Sequence, residues 1–304
     1  MLEDLKYAIE KLLRVRPNQM EHKGAVSAFT AEMLAAKVYM LLDDFAQVER
    51  LTDDIISAGG FSLYPDYYNL FKISGKLCDE SLLEVQVTDY GLGSGDYLGV
   101  DQWFPFEGPF SITDPVSGKR LGGWGFIGYE DSFVNWAHQR GETVRATTSF
   151  LYAGKPTPEG WIVSDATATS TKTWNGKGYL PFEQLTPGRT GYGENNNVRI
   201  FRYAEVLLMN AEAKVRLGKN GDVPYNAVRT RAKMPTKTSV TLQDILDERR
   251  MELCAEWGTR YVDLVRTGQA ASVLGPQGWD ESKKYWPLPF TQLVDIPDLS
   301  LDPQ

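Results

Sequence analysis

Residues 241–266 read TLQDILDERRMELCAEWGTRYVDLVR, the densest mixture of helical periodicity and charge in the chain. Thr241 followed three residues later by Asp244 has the form of a capping box, so a helix is predicted to start there. Leu242, Ile245, Leu246, Arg249, Leu253 and Trp257 recur at three- and four-residue spacing and predict one buried stripe. Gly258 reads as the stop, and Tyr261, Leu264 and Val265 as the apolar side of a second, shorter helix. Glu248, Glu252 and Glu256 stand four apart on one face, where like charges repel unless cations intervene. Acids and arginines gathered this densely suggest either a catalytic site or an ion-pair network holding two helices at a fixed angle. The network is the preferred reading, carried by Glu248, Arg249, Glu252, Glu256, Arg260, Asp263 and Arg266. Arg249 and Arg260 are expected to be partly buried and paired within the same hairpin.

The 304 residues suffice for one large or two ordinary domains. A composition 42% hydrophobic and 24% charged is that of a globular protein. The formal charge of -8 argues against a nucleic-acid partner, which needs a basic surface. Cys78 and Cys254 are expected to be buried free thiols rather than a disulfide. No apolar run is long enough to span a bilayer, and Asp4, Lys6, Glu10 and Lys11 interrupt any signal-peptide pattern.

Along the chain, Leu5, Ala8, Ile9, Leu12 and Leu13 predict a first helix, ended at Pro17. A second is predicted from about 24 to 42, rich in Ala and Met, and a third from about 45 to 58, stopped at Gly59-Gly60. Their alanines allow close helix approach, in the manner of a tetratricopeptide hairpin. LLEVQV, 82–87, reads as a strand. From 90 to 197 the chain is rich in glycine and aromatics, which predicts loops with short strands and a short helix over 134–140. Helical order returns at Arg199 with RIFRYAEVLLMNAEAKVRLG.

Chemistry-bearing motifs are sparse. His22 and His138 are far apart and lack metal-ligand spacing, and no G-x-S-x-G occurs. Gly91, Gly93 and Gly95 are not followed by the lysine of a phosphate loop. A glycosidase needs only two carboxylates and stays open on this evidence. No cofactor is called for. The ligand candidates are the rings of the glycine-rich stretch, because a flat ring stacks on the apolar face of a sugar and exposed loop aromatics need a reason. Trp103, Trp124, Tyr129 and Trp136 lie near Asp101, Gln102, Glu130, Asn135 and Gln139, which can bond hydroxyls. Each ring taken alone is better read as pinning the loop to the helices; over the whole stretch at least one exposed platform is expected.

E-R-R-x-E-L-x-x-E-W-G-x-R-Y-x-D-L-x-R, residues 248–266, resembles the C-terminal signature of the SusD/RagB family. R-Y-A-E-V-L-L-x-x-A-E-A, Arg202 to Ala213, resembles another of its motifs, and Asn226, Arg229 and Arg231 match its L-N-x-V-R-x-R-A helix, with Tyr225 in place of Leu. The tail YWPLPFTQLVDIPDLSLDPQ is similar to the family's close. The resemblance implies a mainly α fold of tetratricopeptide-like hairpins with a loop-rich, partly β insertion. It divides a single 1–304 unit into helical 1–75, an excursion 76–198 and a C-terminal helical part 199–304. It implies a non-catalytic, cell-surface, lipid-anchored outer-membrane protein that binds an oligosaccharide or other nutrient and partners a TonB-dependent transporter. Family members carry a signal peptide, an acylated cysteine and a longer N-terminal helical segment, which this sequence is expected to lack. The alternatives are a helical-repeat scaffold binding only protein, and a glycoside hydrolase.

Overall fold

A computed structural model of the protein describes residues 1–87, 103–165, 171–185, 195–285 and 289. Gly91, Gly93 and Gly95, Asp101 and Gln102, and the tail from 286 except residue 289 lie outside the described residues. The chain divides into two compact units, Met1–Trp257 and Gly258–Gln304.

The first unit is mainly helical. Its helices are α1 (Leu2–Lys11), α2 (Ala28–Leu41), α3 (Phe45–Ala58), α4 (Tyr67–Leu70), α5 (Trp103–Glu107), α6 (Asp131–Gln139), α7 (Val144–Ser149), α8 (Tyr203–Arg216), α9 (Asp222–Arg231) and α10 (Leu242–Glu252). The three residues between α2 and α3 fold them into a hairpin, and α3 and α10 both pack on α8. Every residue of α8 from Tyr203 to Ala213 is buried, which makes it the central helix of the layer. Phe29, Met33, Val48, Leu51 and Ile55 from the hairpin meet Val206, Leu208 and Met209 of α8 in one core. α2 starts at Ala28, four residues later than its apolar run suggests. Ser27 and Thr30 form a capping box there, and a cap fixes the first turn more firmly than hydrophobicity does.

Strand β1 (Ser81–Val85) pairs antiparallel with a partner over Val198–Arg202. The chain therefore leaves the helical layer for its excursion, and returns, through one two-stranded ribbon. Helical periodicity continues through 199–202, yet these residues are strand, because the edge of β1 offers them a ladder. Within the excursion, β2 (Ile112–Thr113) lies between β3 (Arg120–Leu121) and β5 (Ile162–Val163), while β4 (Phe150–Tyr152) pairs with β6 (Thr173–Asn175). The returning strand is β7. Phe104, Ile112, Leu151, Trp161, Trp174 and Tyr179 give the excursion its own core. Gly176 passes so close to the Thr148 carbonyl that a Cβ would sit 2.3 Å from it.

α10 begins as its sequence predicts: Thr241 Oγ1 accepts from the Asp244 amide at 3.2 Å, and the Asp244 carboxylate accepts from the Thr241 amide at 3.0 Å. It ends at Glu252, short of Trp257. The Glu252 carbonyl accepts from the Tyr67 hydroxyl (2.9 Å), Lys177 Nζ (2.9 Å) and Arg202 Nη2 (3.1 Å). The Glu256 amide instead donates to the Leu253 carbonyl. Two cations at a helix C-terminus satisfy the dipole as well as an orphan carbonyl. Trp257 consequently leaves the buried stripe and is 47% exposed. Gly258, left-handed at φ 69°, caps the start of α11 (Thr259–Arg266) rather than the end of α10.

The three glutamates spaced by four form the floor of a buried ion network. Glu248 accepts from Arg140 (2.9 Å), Arg145 (2.6 Å) and Arg229 (2.8 Å). Glu252 faces Arg145 (3.4 Å), Arg202 (2.9 Å) and Arg231 (2.5 Å). Glu256 takes Lys177 and Arg202, both at 2.7 Å. Glu80 and Glu142 complete it, the first bonded to Arg202 and Arg231, the second to Arg145. The cations come from α6, α7, the turn after β6, β7 and α9, so α10 is joined to both the helical layer and the excursion. Arg249 is buried beside Glu205 of α8 at 3.5 Å. In the second unit, Asp263 pairs with Arg266 at 2.7 Å, Arg260 is half-buried, and α12 (Ala270–Leu274) follows. Both cysteines are free: Cys254 is buried and Cys78 only half-buried.

Arg145 has no exposed side-chain surface and three acidic partners. Arg145→Ala is therefore expected to cost on the order of 3–5 kcal/mol in urea unfolding; a loss below about 1 kcal/mol, the range of surface pairs, would contradict a buried network.

Burial alone would raise the Glu252 carboxyl, but Arg231, Arg202 and Arg145 outweigh it and hold the group down at about 2. The unfolded chain then binds this proton more tightly than the folded one. The stability Glu252 confers is present above its unfolded pKa near 4.5 and lost as pH falls toward about 2. The stability gap between the native protein and Glu252→Gln should accordingly narrow by on the order of 3 kcal/mol across that window. A pH-independent gap would show that this carboxylate is not held ionised by the arginines.

Candidate functional site

The structure distributes the rings singled out in the sequence over three settings. Trp103, the first residue of α5, is 8% exposed; its indole N–H donates to Glu107 at 2.8 Å, and its ring lies 5.8 Å from that of Trp257. Asn175 donates to the same Glu107 oxygen at 2.6 Å. Burial raises the Glu107 carboxyl, and these two hydrogen bonds oppose the rise.

Tyr129 and Trp136 belong to a second group, built where α6 meets β4. Tyr129 sits 4.9 Å from Phe150 and 5.6 Å from Phe133, and its hydroxyl points inward to the Cys254 sulfur at 3.7 Å. Burial raises that hydroxyl well above the tyrosine range. Trp136 stacks on Phe133, with the Arg250 guanidinium 4.3 Å and the Arg140 guanidinium 4.7 Å from its centroid. Arg140 also binds Glu248, so this indole is fastened to the ion network. Asn135 is exposed on α6, one residue from Trp136, and Glu130 and Gln139 are exposed near the helix ends.

Trp124 is the ring that faces solvent, at 37% exposure. It meets Phe106 edge-on at 4.5 Å and Phe126 at 5.4 Å, and these are 43% and 70% exposed. Phe110 and Ile127 extend the exposed apolar surface of this stretch. The backbone fixes the position of the tryptophan. The Gly123 amide donates to the Pro109 carbonyl (2.8 Å) and the Gly125 amide to Gly108 (3.0 Å), clipping 123–125 onto 108–110. A Cβ at Gly123 would lie 2.6 Å from the Gly108 carbonyl, so only glycine permits the clip. The phenylalanines were not singled out in the sequence. Their signal was the i, i+2 spacing of Trp124 and Phe126, which puts both on one side of an extended segment.

Such a surface offers flat apolar faces suited to stacking on uncharged ring faces, with the Arg120 guanidinium 5.5 Å from the Phe110 centroid as the cation beside it. The buried acids Glu80, Glu142, Glu248 and Glu252 are each engaged by arginine.

Residues 132–298, more than half of the chain, match the model of the SusD family. A SusD-like protein of Formosa agariphila is 38% identical over 122 residues, 35% of this chain and 24% of that one. A SusD-like protein of Bacteroides ovatus is 25% identical over 87% of this chain and 49% of its own length. The chain thus spans half or less of these two relatives. Among solved structures, surface glycan-binding protein A from Bacteroides thetaiotaomicron, in complex with laminarihexaose, superposes with a TM-score of 0.79 and 25% identity over 97% of this chain and 67% of that one. A laminarin-binding SusD-like protein gives 0.80 and 26% identity over 96% and 65%. A chain more than half of which matches the family model, and which superposes over nearly its whole length on such a protein, belongs to the SusD family.

Proposed function

We propose that this chain forms part of a cell-surface, outer-membrane-associated protein that binds a glycan without cleaving it and delivers it to a TonB-dependent transporter. The observation that carries the reading is the likeness, over nearly the whole chain, to a surface glycan-binding protein solved with an oligosaccharide. The solvent-facing cluster of Phe106, Trp124 and Phe126 supports it, because exposed rings held on a rigid backbone clip are what sugar stacking requires. Trp136 and Tyr129, with the exposed Asn135 beside them, form a second, half-buried group of rings. Trp103 is instead buried and bonded to Glu107 one turn further along α5. Lipid anchoring and the transporter contact rest on the family alone.

Trp124→Ala is expected to leave the melting temperature within a degree or two and to weaken glycan binding at least tenfold, because a single aromatic anchor often carries about 2 kcal/mol of binding energy. Trp103→Ala should instead cost roughly 3–5 kcal/mol of stability. The measurements are thermal melting and a glycan-array screen followed by calorimetry on the best ligand. Unaltered affinity in Trp124→Ala would remove this ring from the site.

Prolonged incubation with bound oligosaccharide should release no new reducing ends. Turnover that disappears in Glu107→Gln, the carboxyl raised by burial near the platform, would replace the binding reading with a glycosidase.

A further inference from the structure

An open groove of about 530 Å³ lies where the chain turns out of β4, lined by Tyr152, Ala153, Lys155, Lys172 and Thr173. Its floor is the β4–β6 ribbon, in which Tyr152 faces Thr173 and the Ala153 amide donates to the Lys172 carbonyl at 2.9 Å. Lys155 is held on the opposite side by β5, where the Val163 amide donates to its carbonyl at 3.0 Å. Two different pairings thus bring the two lysines to one rim. The Tyr152 hydroxyl is 2.9 Å from His138 Nε2, and the two rings stack at 6.0 Å, which fixes the tyrosine as a half-exposed wall.

The lysines differ from the buried cations of the protein. Arg145, Lys177, Arg202 and Arg231 each hold a carboxylate. Among the described residues, neither Lys155 nor Lys172 has an acidic group within 4 Å, although the chain carries eight more acidic than basic residues. Asp165, beside Gly154, and Glu130, at the start of α6, are the nearby acids, and neither reaches an ammonium. Two lysines without an acidic partner among the described residues, lining the same groove as the Tyr152 ring, define a preference in charge and shape together. We propose that this groove binds a sugar unit bearing an oxyanion, either a uronate carboxylate or a sulfate ester, with Lys155 and Lys172 on the anion and Tyr152 against the ring.

This inference rests on the glycan-binding reading and goes beyond it, since stacking on an uncharged ring face does not by itself select for an anion. The test uses the intact chain, three probes and one double variant. The probes are trigalacturonate, a singly sulfated galactose oligosaccharide and neutral laminarihexaose, and the variant is Lys155→Gln with Lys172→Gln. Both lysines are exposed, so melting temperature should not move. At least one acidic probe should bind the native chain, and which of the two binds distinguishes carboxylate from sulfate. The double variant should weaken that probe about tenfold, equivalent to about 1.4 kcal/mol, and leave laminarihexaose unchanged. Raising salt from about 0.01 M to about 1 M, which shortens the Debye length from roughly 30 Å to roughly 3 Å, should weaken acidic binding alone. Binding of laminarihexaose without either acidic probe would overturn the groove and leave the glycan-binding reading standing. Acidic binding indifferent to the double variant would overturn it as well. Failure of all three probes would overturn the groove, while the glycan-array screen decides the glycan-binding reading separately.

Discussion

The Glu252 carboxylate, wholly buried and bonded by Arg202 and Arg231 with Arg145 close by, is the constraint on which the rest of the first unit depends. Removing a carboxylate from water costs several kcal/mol, and an isolated one would take up a proton instead. Here three guanidinium groups more than compensate the desolvation, and the acid is held ionised. The arginines need their acids equally: Arg202 also holds Glu80 and Glu256, and Arg145 also holds Glu142 and Glu248. No member can be buried alone, so the interior is satisfied only when the elements carrying all of them are in place.

That mutual requirement suits this fold. An excursion with short strands and few long helices has little apolar surface with which to find a unique position on a helical layer. Planar guanidinium forks accept only a narrow range of carboxylate geometries, so they fix direction where a few buried methyl groups would not. Arg145 on α7, Lys177 after β6 and Arg140 at the end of α6 each send a cation to a different point along α10. The helix supplies acids at 248 and 252, and the turn beyond it a third at 256. The apolar group of Val134, Phe150, Met251 and Cys254 packs at the same junction of α6, β4 and α10.

How far this was legible follows from the distance over which each feature is decided. The start of α10 and the whole of α3 are set by caps and periodicity within a few residues, and the sequence reveals both. The end of α10 is decided by Tyr67, Lys177 and Arg202, none of them near it in sequence, so a local reading carries the helix on to Trp257. β7 was hidden for the same reason, since its strand character belongs to the pairing with β1. The glutamates of the network were visible as a row of like charges in need of cations. The cations themselves, separated from that row by as many as 108 residues, were not. Among the rings, the glycine-rich context pointed to a platform without telling the buried indole of Trp103 from the solvent-facing one of Trp124. That difference arises from the Trp103 bond to Glu107 within α5 and from the glycine clip that holds Trp124 at the surface.

The same division explains how a ligand surface can change while the fold persists. The arginines of the network lie beneath the excursion and every one of them is committed to an acid. The groups that remain open to solvent on its outer side, Trp124 and its phenylalanines on one stretch and Tyr152, Lys155 and Lys172 on another, touch none of those pairs. A lysine at such a position needs no buried counter-charge, and replacing it leaves no charge stranded in the interior. At these positions the proposed recognition chemistry is separate from folding chemistry, whereas at Trp136, held by Arg140 and Arg250, it is not. Charge in the interior decides where the excursion sits, and we propose that charge and rings on its outer surface decide what it holds.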